Sequence, residues 1–266
     1  MTVDALGAWV AKETEAACAE RNRNEAPRRY LGMSSIGHPC ERRSWLGFNR
    51  VPCPPLEGRV ARIFDMGHAV EARVINDLRL KWRVTDEQAE CVDLHGRFRG
   101  HIDGIVWIEG KPLLLEIKSA NNDGFNLMRS KGISCRPQYH AQVVLYMRYM
   151  GLSEALFMVE NKNSQELHAE VVPSDPEMAG RLKEKALSVL RSAGPPPADK
   201  ADCRWCDWRD GACGWMDLQD PLCMRCGWYV PRFWLEERGT SAADSLCLKT
   251  LAPARPLDTC GSFTAR

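Results

Sequence analysis

The stretch from Gly100 to Ser119, Gly-His-Ile-Asp-Gly-Ile-Val-Trp-Ile-Glu-Gly-Lys-Pro-Leu-Leu-Leu-Glu-Ile-Lys-Ser, reads as a strand, a tight turn at Glu109-Gly110 and a second strand. With two residues in the loop, Ile108 pairs with Lys111, and counting outward sets Asp103 opposite Glu116. Partners across such a ladder have Cβ atoms roughly 4.5–5.5 Å apart, where like charges are destabilising. A period of two along the second strand puts Lys118 on the face of Glu116 and turns Ile117 to the other. Two facing carboxylates beside an ammonium weaken a fold, but they suit a hydrolytic Mg²⁺ or Mn²⁺ site.

Outward from the hairpin, helices and strands alternate, which indicates an α/β fold. Ile63, Val70, Val74, Ile75 and Leu78 recur at helical spacing between Arg59 and Trp82. Strands dominate from Val84 to Ser119, Pro137 opens a helix that runs to Met150, Glu154 to Val172 makes two strands, and Asp175 to Ala193 makes a helix. Residues 1–33 read as a helix followed by a basic loop. From Ser34 to Arg50, Cys40 stands at a helix start with Pro39 in the first turn. Val51 to Pro55 is a linker, Gly194-Pro-Pro-Pro197 is a break, and residues 217–266 form a Cys- and Trp-rich tail.

The 266-residue chain is 44% hydrophobic and 27% charged, so it has the means to build a core. A formal net charge of +1 gives no global attraction to nucleic acid. Such binding has to come from local clusters, namely Arg21, Arg23, Arg28 and Arg29, or Arg42 and Arg43. The first residues lack the charged start and apolar run of a signal peptide, and no apolar run approaches the roughly 18 residues that span a bilayer. A cytoplasmic location without membrane partners is the expectation. Disulfides are rare there, so twelve cysteines point to metal ligation.

Asp103 followed by Glu116-Ile-Lys118 on the adjacent strand resembles the PD-(D/E)xK nuclease superfamily. Gly100-His-Ile-Asp-Gly104 is similar to the GxxDG strand of RecB-like members. Phe64-Asp-Met-Gly67-His-Ala-Val-Glu71 is similar to their first motif, and Gln142-Val-Val-Leu-Tyr146 to their QxxxY motif. Gln142 and Tyr146 lie one turn apart on one helical face. The resemblance implies a restriction-endonuclease-like core, a mixed central sheet flanked by helices, over residues 34–216. It also implies that Asp103, Glu116 and Glu71 ligate Mg²⁺ or Mn²⁺, with the Ile117 carbonyl completing the sphere. Lys118 would orient the attacking water, and Gln142 and Tyr146 would position DNA or Lys118. His68 is a neighbour of this site rather than a ligand.

Cys203, Cys206 and Cys213 form a C-x₂-C-x₆-C run, with Cys40 far upstream. Four thiolates suit zinc and equally a four-iron, four-sulfur cluster. One upstream and three downstream cysteines resemble the AddB and CRISPR-associated iron–sulfur nucleases, in which the cluster staples the two ends of the domain. Cys223, Cys226, Cys247 and Cys260 suit a further Zn²⁺ in the tail. The expected function is a metal-dependent DNA exonuclease or end-processing nuclease in recombination, repair or CRISPR adaptation, a phage-encoded recombination nuclease included. It would act on a single strand or duplex end, alone, as a homo-oligomer or with a partner protein. The alternatives are an inactive DNA-binding subunit with a structural cluster and a zinc-ribbon regulatory protein.

Overall fold

The computed structural model describes residues 3–23, 28–51, 53, 56–192, 194–199, 203, 206–209 and 213, together with the backbone of three two-residue strands in the tail. Its contacts divide the chain into two compact units. The first comprises residues 1–27, 54–91 and 100–176, and the second residues 28–53, 92–99 and 177–266. The protein is a mixed α/β chain.

The first unit is built on a five-stranded sheet. β1 (Leu31–Gly32), β2 (Arg83–Thr85), β3 (Glu90–Asp93), β4 (Phe98–His101), β5 (Gly104–Ile108), β6 (Lys111–Ala120), β7 (Glu154–Asn161) and β8 (Leu167–Pro173) follow in chain order. The five-stranded sheet has the order β2-β5-β6-β7-β8. Its β2–β5, β5–β6 and β7–β8 pairs are antiparallel, whereas β6–β7 is parallel. A parallel pair needs a long crossover, supplied here by α4 (Asn122–Lys131) and α5 (Pro137–Met150). The hairpin register is the expected one, from Ile108 opposite Lys111 to Gly104 opposite Leu115. Glu109 and Gly110 have φ of 50° and 80°, the positive pair that a two-residue turn needs to match the strand twist.

Alternation along β6 divides the core. Leu113, Leu115 and Ile117 face α3 (Gly58–Arg79), packing with Val70, Val74, Ile75 and Leu78. α5 packs against β6 and β7 as well, so the sheet is enclosed as parallel pairing requires. α1 (Val3–Arg23) packs on α3, where a Cβ at Gly58 would collide with the Glu15 backbone.

In the second unit, α2 (Glu41–Phe48) and α6 (Pro176–Arg191) carry most of the regular structure. Cys40 is the N-cap of α2, which corrects the expectation that Pro39 occupies the first helical turn: the helix begins two residues later. The buried Trp45 donates Nε1–H to Ser192 O at 3.1 Å. β1 pairs parallel to β4, with Leu31 opposite Phe98, in a sheet ordered β1-β4-β3. In the tail, β9 (Tyr229–Val230), β10 (Leu246–Cys247) and β11 (Ala252–Pro253) form an antiparallel sheet with β10 central. Among the described residues, no helix is long and apolar enough to cross a membrane.

Candidate active site

All six residues expected at the catalytic centre belong to the first unit. β6 supplies Glu116 and Lys118, whose ammonium lies directly on Glu116 Oε1, so the two side chains share a face as the period of two requires. Asp103 leaves the ladder one residue beyond the Gly104–Leu115 pair, and its Oδ2 accepts the Ile117 N–H at 2.7 Å. The Asp103 carboxylate thus closes the hairpin's open end. Glu71, on α3, accepts from Gln88 Nε2 at 2.8 Å.

α5 covers Glu116 from its own side. Gln142 and Tyr146 are buried, and the Gln142 side chain hydrogen-bonds Tyr146. A Cβ on Gly100 would meet the Tyr146 ring at 2.5 Å and its hydroxyl at 2.7 Å. Glycine at the head of the Gly100–Gly104 motif therefore lets backbone and phenol touch. Tyr139, three residues before Gln142, receives the Lys118 ammonium at 5.5 Å from its ring centre, a cation–π contact.

The electrostatics follow from burial. Glu116 is fully buried, and desolvation pushes its carboxyl up to about 8; Lys118 opposes the shift, while Asp103 and Glu71 add to it. Asp103 is raised by burial, against Lys118 and the Ile117 N–H. Burial and the nearby Asp103 raise Glu71, with His68 and Lys118 opposing. For Lys118, burial works downward but Glu116 and Asp103 prevail, so its pKa is raised and it stays an ammonium. Burial and Glu116 likewise raise Tyr146, keeping it a neutral phenol. The mutual effects bring Glu71, Asp103, Glu116, Lys118 and Tyr146 into one electrostatic cluster.

Glu116 Oε2 is buried without a hydrogen-bond partner among the described residues. An unpaired buried carboxylate oxygen is costly, and a hard divalent cation is a fitting partner for it. The donor chemistry therefore fits Mg²⁺ or Mn²⁺. The carboxylates do not stand as a finished ligand set, since among the described residues no three acidic, histidine or cysteine side chains gather around one point. Lys118 occupies one oxygen of Glu116, and Gln88 holds Glu71. Sequence reasoning passed over Gln88, for which no spacing gave a signal. It also passed over Tyr139, which the helical repeat from Gln142 and Tyr146 points to.

The four cysteines of the expected cluster all lie in the second unit and form no disulfide. Cys40 is buried, and Cys203, Cys206 and Cys213 are half-buried. Arg42, two residues past Cys40, places Nη1 3.8 Å from Cys213 Sγ and donates Nε–H to Pro196 O at 2.7 Å. Cys206 N–H donates to Cys203 O at 3.1 Å, and Cys213 N–H to Trp208 O at 3.1 Å. The thiols are not drawn into one ligand sphere among the described residues. Of the cysteines expected to bind zinc, Cys223, Cys226 and Cys260 lie outside the described residues, and Cys247 is described only as backbone in β10.

No protein-family model matches the chain, and no curated protein matches it. Among solved structures it is similar to an alkaline exonuclease from Laribacter hongkongensis, with 17% identity over 67% of this chain and 90% of that one, at a TM-score of 0.46. The same exonuclease in complex with dAMP matches at 16% identity over the same shares, with a TM-score of 0.43. A phage-related exonuclease from Haemophilus somnus 129PT matches at 11% identity over 40% of this chain and 58% of that one, with a TM-score of 0.32.

Proposed function

We propose that the protein is a divalent-metal-dependent DNA nuclease that hydrolyses phosphodiester bonds at strand ends, in recombination, repair or CRISPR adaptation. The observation that carries this reading is the buried Glu116 carboxylate, one oxygen of which has no hydrogen-bond partner among the described residues while Lys118 holds the other. Asp103, Glu116, Glu71 and the Ile117 carbonyl would hold a Mg²⁺ or Mn²⁺ ion. When bound, such an ion activates a water and stabilises charge on the scissile phosphate. Lys118, held as an ammonium, orients the phosphate and the attacking water. The Tyr146 phenol and Gln142 amide position the strand or Lys118. The enclosure of Glu116 keeps bulk water away, which strengthens every charge interaction around it.

Cys40, Cys203, Cys206 and Cys213 would ligate a four-iron, four-sulfur cluster in the second unit, joining segments far apart in sequence. Such a cluster restricts the unfolded chain by closing a long loop. Anaerobic purification should give a brown protein with broad absorbance near about 400 nm, whereas a colourless protein carrying zinc would overturn the cluster assignment. The four tail cysteines would bind Zn²⁺ in the same reading.

End-labelled DNA incubated with Mn²⁺ tests the catalytic assignment. Wild type should release short products, and both Glu116→Ala and Lys118→Ala should lose cleavage by at least about 100-fold, as expected for groups acting on charge in the transition state. Equal cleavage by all three proteins would overturn it. Product lengths from DNA labelled at each end assign polarity. The ammonium resting on Glu116 favours one alternative, an inactive DNA-binding subunit. DNA binding without cleavage by metal-loaded wild type would establish it.

A further inference from the structure

The second unit contains a cavity of about 190 Å³ whose lining includes Arg28, Tyr30, Arg43, Ser44, Asp207 and Trp208. The volume is below the roughly 300–1,000 Å³ of sites that enclose a whole small molecule. It suits one unit of a longer chain. Two guanidiniums and three aromatic rings, Phe48 being the third, give the lining its chemistry. Asp207 offsets Arg43 at 3.6 Å, so Arg28 supplies the excess positive charge. Trp208 is fixed by its Nε1–H bond to Val51 O at 3.0 Å. Arg99 lies 5.8 Å from the Tyr30 ring centre. Ser44 is 6% exposed, yet its hydroxyl has no hydrogen-bond partner among the described residues. That oxygen is enclosed rather than open to the cavity, so the donors the lining offers a ligand are its guanidiniums.

From this we infer that the cavity is a seat for one unpaired nucleotide of a nucleic-acid strand. The base lies against the indole of Trp208 and the ring of Tyr30, while the phosphate is held by Arg28. Stacking platforms combined with cations are the general means of holding single strands without reading sequence. The Arg28 and Arg43 clusters, which the net charge left without a role, thereby acquire one. The inference rests on DNA being the substrate of the proposed nuclease, but its test does not depend on cleavage.

Fluorescein-labelled dT10 is bound to the full-length protein in buffer free of divalent ions and followed by anisotropy. Arg28→Ala should weaken binding about five-fold or more, and an abasic strand of equal length should compete about five-fold more poorly than dT10. Arg28 is exposed, so the melting temperature of Arg28→Ala should equal that of wild type, which separates loss of a ligand contact from loss of fold. Equal competition by abasic and normal strands, displacement of dT10 by inorganic phosphate alone, or unchanged affinity in Arg28→Ala would overturn the inference. If wild type fails to cleave with Mn²⁺ while Arg28→Ala still weakens dT10 binding, the nuclease reading falls and the seat stands. Cleavage with variant-insensitive binding gives the reverse.

Discussion

At Glu116 burial and charge conflict most sharply, and the conflict can be measured. Its carboxyl moves from an ordinary 4.5 to about 8 on folding. Between those values the folded state binds more protons than the unfolded chain, so this group's contribution to stability falls as pH rises. Asp103 and Glu71 are raised as well and act in the same direction. The melting temperature of metal-free protein should therefore decline from about pH 4.5 to about pH 8, and Glu116→Gln should flatten that decline. A parallel decline in the variant would mean that other groups set the slope. Mn²⁺ at about 100 times its dissociation constant should add about 2.7 kcal/mol to wild type and much less to Glu116→Gln. Gly100 poses a steric test. A methyl group there would stand 2.5 Å from the buried Tyr146 ring. Gly100→Ala should therefore cost about 1–3 kcal/mol, the usual range for overpacking, read by chemical denaturation.

The β5–β6 hairpin was legible from sequence because a two-residue turn fixes every partner outward from it, and the observed register follows that count. α5 was legible for a different reason: Pro137 pre-sets the first helical turn and Gly151 ends the helix in a left-handed conformation. α4 was missed. Its ten residues, Asn122 to Lys131, bury only Gly124, Phe125 and Met128, too few for a helical period to stand out. The start signal was nonetheless present in Asn121, whose side chain caps Gly124 N–H at 3.0 Å. Asn121→Ala should cost about 1 kcal/mol, measurable as a lowered denaturation midpoint. Part of the site was also out of reach, because Gln88 approaches Glu71 only through the tertiary fold. The hairpin turn keeps a local misfit, since Glu109 has a φ of 50°. That conformation costs an ordinary L-residue roughly 1–2 kcal/mol and is milder for asparagine. Glu109→Asn should thus raise stability by up to about 1 kcal/mol without altering cleavage.

Across the whole molecule, the carboxylate cluster and the four cysteines belong to different compact units, so each can be perturbed separately. Hydrogen exchange should slow in β6 and α5 when Mn²⁺ is added and stay unchanged in α2. Alkylation of Cys40, Cys203, Cys206 and Cys213 should loosen α2 and leave β6 protected. Spread of either effect over both regions would show that the two behave as one cooperative block. Sequence patterning could not reveal this division, because each unit is assembled from three separated stretches, and periodicity reports only on neighbours along the chain.

That interleaving bears on how the protein is made. The five strands around Glu116 have all been translated by Pro173, whereas Trp45 and Arg42 wait for Ser192 and Pro196, and Asp93 waits for Lys183. For much of synthesis the early pieces of the second unit hang from a nearly finished neighbour with their late partners untranslated. A released chain ending before residue 177 should already protect the β6 amides from exchange while leaving Trp45 open to solvent.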